Sequence, residues 1–294
     1  MPTINQNLKD RLFGFLFGNE ANKAWTLSLY NAVNGTEYSN PEDIQITTID
    51  DAIYMGMKND LSFILFYVMN LYEQQSTFNP NMPIRQLMYA GRLYDKYIQV
   101  NHCNLYSTKM IKLPVPKLVV FYNGTQEMDD MILRLSDAFE PEAASIEPDI
   151  EVKVKMININ YGKNHKLMKA CQPLAEYSWL VERIRQNRET MEIHMAVDKA
   201  IDAMPKDYLI RPFVIGNKAE VKTMCITEYN EVETMQMFKE EGREEGLAEG
   251  IEQGTEQLGR LIDAFIASGR MDEVQKAATD KQTRDILYKE FNIL

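Results

Sequence analysis

The segment from Asn59 to Thr77, NDLSFILFYVMNLYEQQST, constrains this chain more than any other. Its apolar run is far shorter than the roughly 18 to 20 residues needed to span a bilayer, and it is rich in β-branched and aromatic residues without helical periodicity. It therefore reads as consecutive strands in a buried sheet. Asn70 is its one conventional turn residue, so a fold back near the middle follows from the pattern and not from a turn signal. Period two then puts Glu73 and Gln75 on one face and Tyr72, Gln74 and Ser76 on the other. Folded back, the segment makes Asp60 a cross-strand neighbour of Glu73. Two carboxylates so placed repel unless a divalent cation lies between them, and Mg²⁺ is commonly held by one or two carboxylates, waters and a substrate phosphate. That is an arrangement for metal-assisted phosphodiester hydrolysis; plain solvation of a strand end is the competing explanation.

The same alternation of patterns runs through the first half of the chain. Asn19–Gly35 has helical spacing and closes on an Asn-Gly cap, and IQITTIDDAIYMGM follows it as a strand. After two prolines suited to a helix entrance, NPNMPIRQLMYAGRLYDKYIQV takes up apolar spacing of three and four. LPVPKLVVFYNGT, with a continuous apolar run from Leu118 to Tyr122, fits a buried strand of a mixed sheet, and IEVKVKMININY a further strand. From about Lys166 the pattern becomes helical, ending in a stripe of Leu258, Leu261, Ile262, Phe265 and Ile266 before Gly269. The expected fold is α/β, a mixed sheet flanked by helices with a mainly helical C-terminal region. The expected divisions are a core over 1–166, a helical extension over 167–235, a Glu/Gly-repeat connector over 236–257 and a small helical segment over 258–294.

Charge is unevenly distributed. The net charge is −11 over 294 residues. Nine glutamates against Lys239 and Arg243 put −7 of it between Glu231 and Gln257, leaving −4 for the rest. Val152–Lys169 carries Lys153, Lys155, Lys163, Lys166, Lys169 and His165 with no acid. This strip suits either contact with phosphates or an edge strand whose lysines deter aggregation. Gly242, Gly246, Gly250 and Gly254 recur every four residues, as in a soluble connector or in helices that approach closely in an oligomer.

Several classes are disfavoured. Cys103, Cys171 and Cys225 lie in no metal-ligand spacing and are expected to be buried, reduced thiols. LFGFLF, although preceded by Lys9 and Arg11, lacks the cleavage site of a signal peptide, so a cytoplasmic protein is expected. His102, His165 and His194 have no nucleophile partner motif, and there is no glycine-rich phosphate loop. Gly35 and Gly124 each sit in an ordinary NGT turn.

The order of helix, strands, Asp, Glu-x-Gln, helix and strand resembles the PD-(D/E)XK nuclease core, with an Asp on one strand and Glu-x-Lys on the next. More closely, NDLSF, YEQQSTFNPNMPIRQLMY, KLPVPKLVVFYNGT, AVDKAIDAMPKDYLIRPFVIGNKAEVKTMCITEYNE and the Glu-Gly repeats resemble the Rpn/YhgA-like recombination-promoting nucleases, also described as putative transposases. The resemblance covers most of the chain. It implies a restriction-endonuclease-like core and a DNA endonuclease requiring Mg²⁺, with Mn²⁺ or Ca²⁺ as alternatives, linked to recombination or to mobile-element and phage biology. It makes Asp60 and Glu73 the metal carboxylates, assisted by the Gln74 carbonyl. Gln75 stands where most of the superfamily has lysine; glutamine orients a water but supplies no positive charge. Glu20 matches an additional helix carboxylate of some members, or is an acid favoured by a helix dipole. Arg85 and Tyr89, four residues apart on the following helix, either face the substrate phosphate with Lys153 and Lys155 or form a salt bridge with a packed tyrosine. DNA is the expected partner, with self-association through the C-terminal helices. The alternative is a degenerate nuclease fold acting as a DNA-binding or protein-interaction module.

Overall fold

The computed structural model describes residues 12–47, 60–143, 145–270 and 273–293. Most of the expected strand from Ile44 to Met57 lies outside these residues. The elements, in chain order, are α1 (Leu12–Phe17), α2 (Lys23–Asn34), β1 (Ile44–Ile46), β2 (Leu61–Leu65), β3 (Val68–Gln75), α3 (Met82–Val100), β4 (Val115–Tyr122), β5 (Met131–Arg134), β6 (Lys153–Asn158), α4 (His165–Ala170), α5 (Gln172–Arg188), α6 (Ile193–Asp202), α7 (Arg211–Gly216), α8 (Lys218–Ser268), α9 (Val274–Thr279) and α10 (Lys281–Glu290). The fold is mixed α/β: a six-stranded mixed sheet flanked by helices, followed by a mainly helical C-terminal region. The chain divides into two compact units, 1–232 and 233–294.

The sheet order is β1-β2-β3-β4-β6-β5. β3 and β4 are parallel and joined through α3, because a parallel pair needs a crossover that returns the chain to the same end of the sheet. β4 and β6 are also parallel, while β5 closes that side antiparallel to β6. The Lys153–Lys155 strand is therefore interior, not an edge. β5 carries the edge, and its four residues are too few for a pattern to stand out in the sequence.

Both faces of the sheet are covered. On one, Phe63, Tyr72, Phe121 and Ile157 pack against α1, α2 and α5. Phe13 is central there, with ring centroids 4.9 Å from Phe17, 5.1 Å from Phe121 and 5.7 Å from Tyr177. Each such fully buried ring contributes about 1.5–3 kcal/mol through removal of apolar surface from water. On the other face, Met82 of α3 meets Val120, Tyr122, Val154 and Met156, and Tyr89, Ala90 and Leu93 cover Met69 and Leu71. α3 begins with Pro83 in its first turn, and α2 ends on Gly35 at φ +67, as their flanking residues imply.

In the second unit the expected stripe is split by its surroundings. Leu261 and Phe265 are buried with Ala277, Leu287, Tyr288 and Ile293, whereas Ile266 is exposed. The Glu/Gly repeat lies within α8, and a Cβ added at Gly246, Gly250 or Gly254 would meet nothing within 4 Å.

The cysteines are all free. Cys171 and Cys225 are buried, but Cys103, in the loop after α3, is only partly so. Burial pushes the Cys171 thiol up to about 11, and burial likewise raises that of Cys225. Both stay protonated and unreactive in the fold. Iodoacetamide at pH 8 should therefore label Cys103 alone in the native protein and all three in denaturant. Rapid native labelling of Cys171 would contradict this packing.

Candidate active site

The β2–β3 hairpin aligns Leu61 with Tyr72 and Leu65 with Val68. One step further, the same register sets Asp60 across from Glu73, where opposed residues share a face with Cβ atoms about 5 Å apart. The turn is Phe66–Tyr67, not Asn70, which lies buried within β3. Phe66 adopts φ +54, a conformation that turn geometry ordinarily assigns to Gly or Asn, so the turn had no conventional sequence signal.

Asp60 is held against the strand end. Its Oδ2 accepts the backbone N–H of Gln74 at 2.6 Å. α1 approaches so closely that a Cβ on Gly14 would stand 2.6 Å from the Asp60 carbonyl oxygen, well inside ordinary contact. Gly14→Ala should accordingly displace Asp60 and lower any activity that depends on it, whereas Gly91→Ala on α3, where an added Cβ meets nothing within 4 Å, serves as control. Equal activity in the two variants would show that α1 does not position Asp60.

Glu73 is 2% exposed and points toward α3. Its Oε1 accepts from Arg85 Nη2 at 2.6 Å, and the same nitrogen donates to the Tyr89 hydroxyl at 3.1 Å. Of the two expected roles for Arg85 and Tyr89, the salt bridge with a packed tyrosine is the one present. The Tyr89 phenol is held above its ordinary range, first by burial and then by the Glu73 charge; Arg85 opposes the shift and Asp60 adds to it. Both carboxylates thus act on one hydroxyl. Gln75, on the Glu73 face, donates from Nε2 to Met82 Sδ at 2.8 Å. A thioether is a weak acceptor, so this amide is readily exchanged to a better one.

Gln74 faces the other way and anchors a network at the carboxyl ends of the parallel strands. Its Nε2 donates to Asn123 Oδ1 at 2.6 Å, and Asn123 Nδ2 donates to the Tyr177 hydroxyl at 3.1 Å. Arg185 donates to the Asn123 carbonyl and, at 2.9 Å, to Asn160 Oδ1. The residues of this network lie up to about a hundred positions apart, so no local spacing marks them. Gln86 was missed as well: it is fully buried on α3, and neither amide atom has a hydrogen-bond partner among the described residues. Such a group costs about 1–3 kcal/mol of desolvation.

Three expected site residues are not brought to this centre. Lys155 is in register with Val119 and, through it, with Tyr72, so Lys153 and Lys155 project on the Tyr72 face, opposite Glu73 and Gln75. Lys155 and Lys166 instead line a cavity of about 940 Å³ against α2. Glu20 opens a short 3₁₀ turn before α2 and pairs with Lys23 at 2.8 Å at the surface. Among the described residues, no group of three or more His, Cys, Asp or Glu side chains is placed to hold a metal ion. The donors at the centre are therefore the Asp60 and Glu73 carboxylates and the Gln74 backbone, hard oxygen ligands of the kind that suit Mg²⁺ with waters completing its shell. No helix among the described residues is long and apolar enough to cross a membrane.

No protein-family model, curated protein or solved structure matches the chain.

Proposed function

We propose that this chain is a divalent-metal-dependent DNA endonuclease with a PD-(D/E)XK-like core, acting in recombination or in mobile-element biology. One observation carries the proposal. The hairpin register sets Asp60 opposite Glu73 at a strand end, with Gln75 on the same face and Arg85 reaching in from α3. Asp60, Glu73 and the Gln74 carbonyl would hold Mg²⁺, which when bound supplies Lewis-acid stabilisation of the phosphoryl oxygens. Gln75 exchanges its sulfur contact for a water and orients it toward the phosphorus. Arg85 brings the positive charge that glutamine lacks, and its planar donors suit a phosphate as well as a carboxylate. Tyr89 fixes the guanidinium.

The same ion pair favours a second reading. Arg85 already neutralises Glu73, as in a catalytically degenerate nuclease fold that binds DNA or protein without cleaving. Plasmid cleavage with Mg²⁺, Mn²⁺ or EDTA, alongside mass in solution, separates the two. Nicking that requires either metal and stops in EDTA supports the nuclease; retained DNA binding with no cleavage in any metal supports the module.

A further inference from the structure

The opposite end of β3 has a different character. Phe66 and Tyr67 form the hairpin tip at 51% and 84% exposure, and the left-handed backbone at Phe66 costs about 1–2 kcal/mol. The Phe66 ring rests on Tyr38 with centroids 5.2 Å apart, and strain spent at a tip that leaves the Tyr67 ring open to solvent points to a use for that ring. The loop between α3 and β4 is pinned to this tip at both ends. Asn101 and Phe66 line one cavity of about 550 Å³, and the Val115 N–H donates to the Tyr67 carbonyl at 2.7 Å. Within the loop Tyr106 is 97% exposed. From Lys96 to Gln126 the chain carries four lysines and no acid, in a protein of net charge −11. Lys109, Lys112 and Lys117 are exposed and make no ion pair among the described residues.

We infer that this end, centred on Tyr67, Tyr106, Lys109 and Lys112, binds a single-stranded segment of nucleic acid; the inference rests on the nuclease reading and names its substrate class. Exposed tyrosines offer stacking platforms only to bases that are themselves unstacked, and the lysines track the backbone phosphates. Tyr67 lies six residues before Glu73, about 20 Å along the strand, so one nucleic-acid strand touching both would be cut several nucleotides from the stacked bases.

The test is fluorescence anisotropy of labelled dT20 and of a duplex of equal length with the full chain in EDTA, repeated over a salt series. Wild type should prefer dT20. Tyr106→Ala should weaken it roughly 5- to 100-fold at unchanged circular dichroism, the loss expected for one base stack. The Lys109→Ala/Lys112→Ala variant should lower the salt slope by about 1.4, or about 0.7 for each phosphate contact. Wild-type affinity and slope in these variants overturn the inference, as does a duplex preference. A change of mass in solution with unchanged dT20 affinity also overturns it, marking the surface as a protein interface instead. Cleavage distinguishes the two proposals. Tyrosine-dependent dT20 binding without cleavage in any metal leaves this site standing and removes the nuclease; cleavage that is indifferent to both variants does the reverse.

Discussion

Asp60→Asn should abolish Mg²⁺-dependent nicking while leaving the fold intact. The substitution keeps the side chain's shape and an oxygen that can accept the Gln74 N–H, so the strand end retains its hydrogen bond. It removes one of the two negative charges that would attract a divalent cation into this centre, and with it the Lewis-acid contribution. The expected loss is at least about 100-fold in rate, with thermal unfolding changed by little in EDTA. Mg²⁺ should raise the Tm of wild type by mass action and that of the variant much less, which reports binding independently of catalysis. Undiminished cleavage by Asp60→Asn would remove Asp60 from the mechanism.

Arg85→Met should produce the largest loss of stability. Glu73 is almost wholly enclosed, and deleting the Arg85 guanidinium breaks a buried ion pair. Breaking such pairs costs about 3–5 kcal/mol. Arg85 retains 30% exposure, which places the expected cost near the lower end, about 3 kcal/mol. For a unit of this size that is a fall in Tm of roughly 6–12 °C. Adding Glu73→Gln to Arg85→Met should recover much of the loss, because the carboxylate that needed a partner is gone. Mg²⁺ should stabilise Arg85→Met more than wild type, since a divalent cation then meets a Glu73 with no guanidinium beside it. A Tm unchanged by Arg85→Met would show that the ion pair is not what keeps Glu73 buried.

These two residues differ in how far the sequence disclosed them. Glu73 and Gln75 were legible because the strand period is two: once the apolar run is a strand, its faces are assigned without further information. The same holds for the α3 entrance at Pro83, the cap at Gly35 and the buried run from Val119 to Tyr122, each set by a residue's own backbone preference or burial. The partner of Arg85 was left open between a substrate phosphate and a carboxylate, because a guanidinium is compatible with either, and it is α3's placement over β3 that brings it to Glu73.

What the sequence determined by itself is local: which segments form strands or helices, and which side chains share a face. Tertiary structure decided what depends on chain crossing. Parallel pairing of β3, β4 and β6 put the strand of Lys153 and Lys155 inside the sheet order and their side chains on the face away from Glu73, although their charge suited either a phosphate-contacting surface or an edge. The turn before α2 directed Glu20 to Lys23 rather than to Asp60. The Gln74–Asn123–Tyr177 network joins residues up to 103 positions apart. Such pairings depend on how strands are ordered and how helices pack across them, and period-two or period-3.6 patterns carry no information about either.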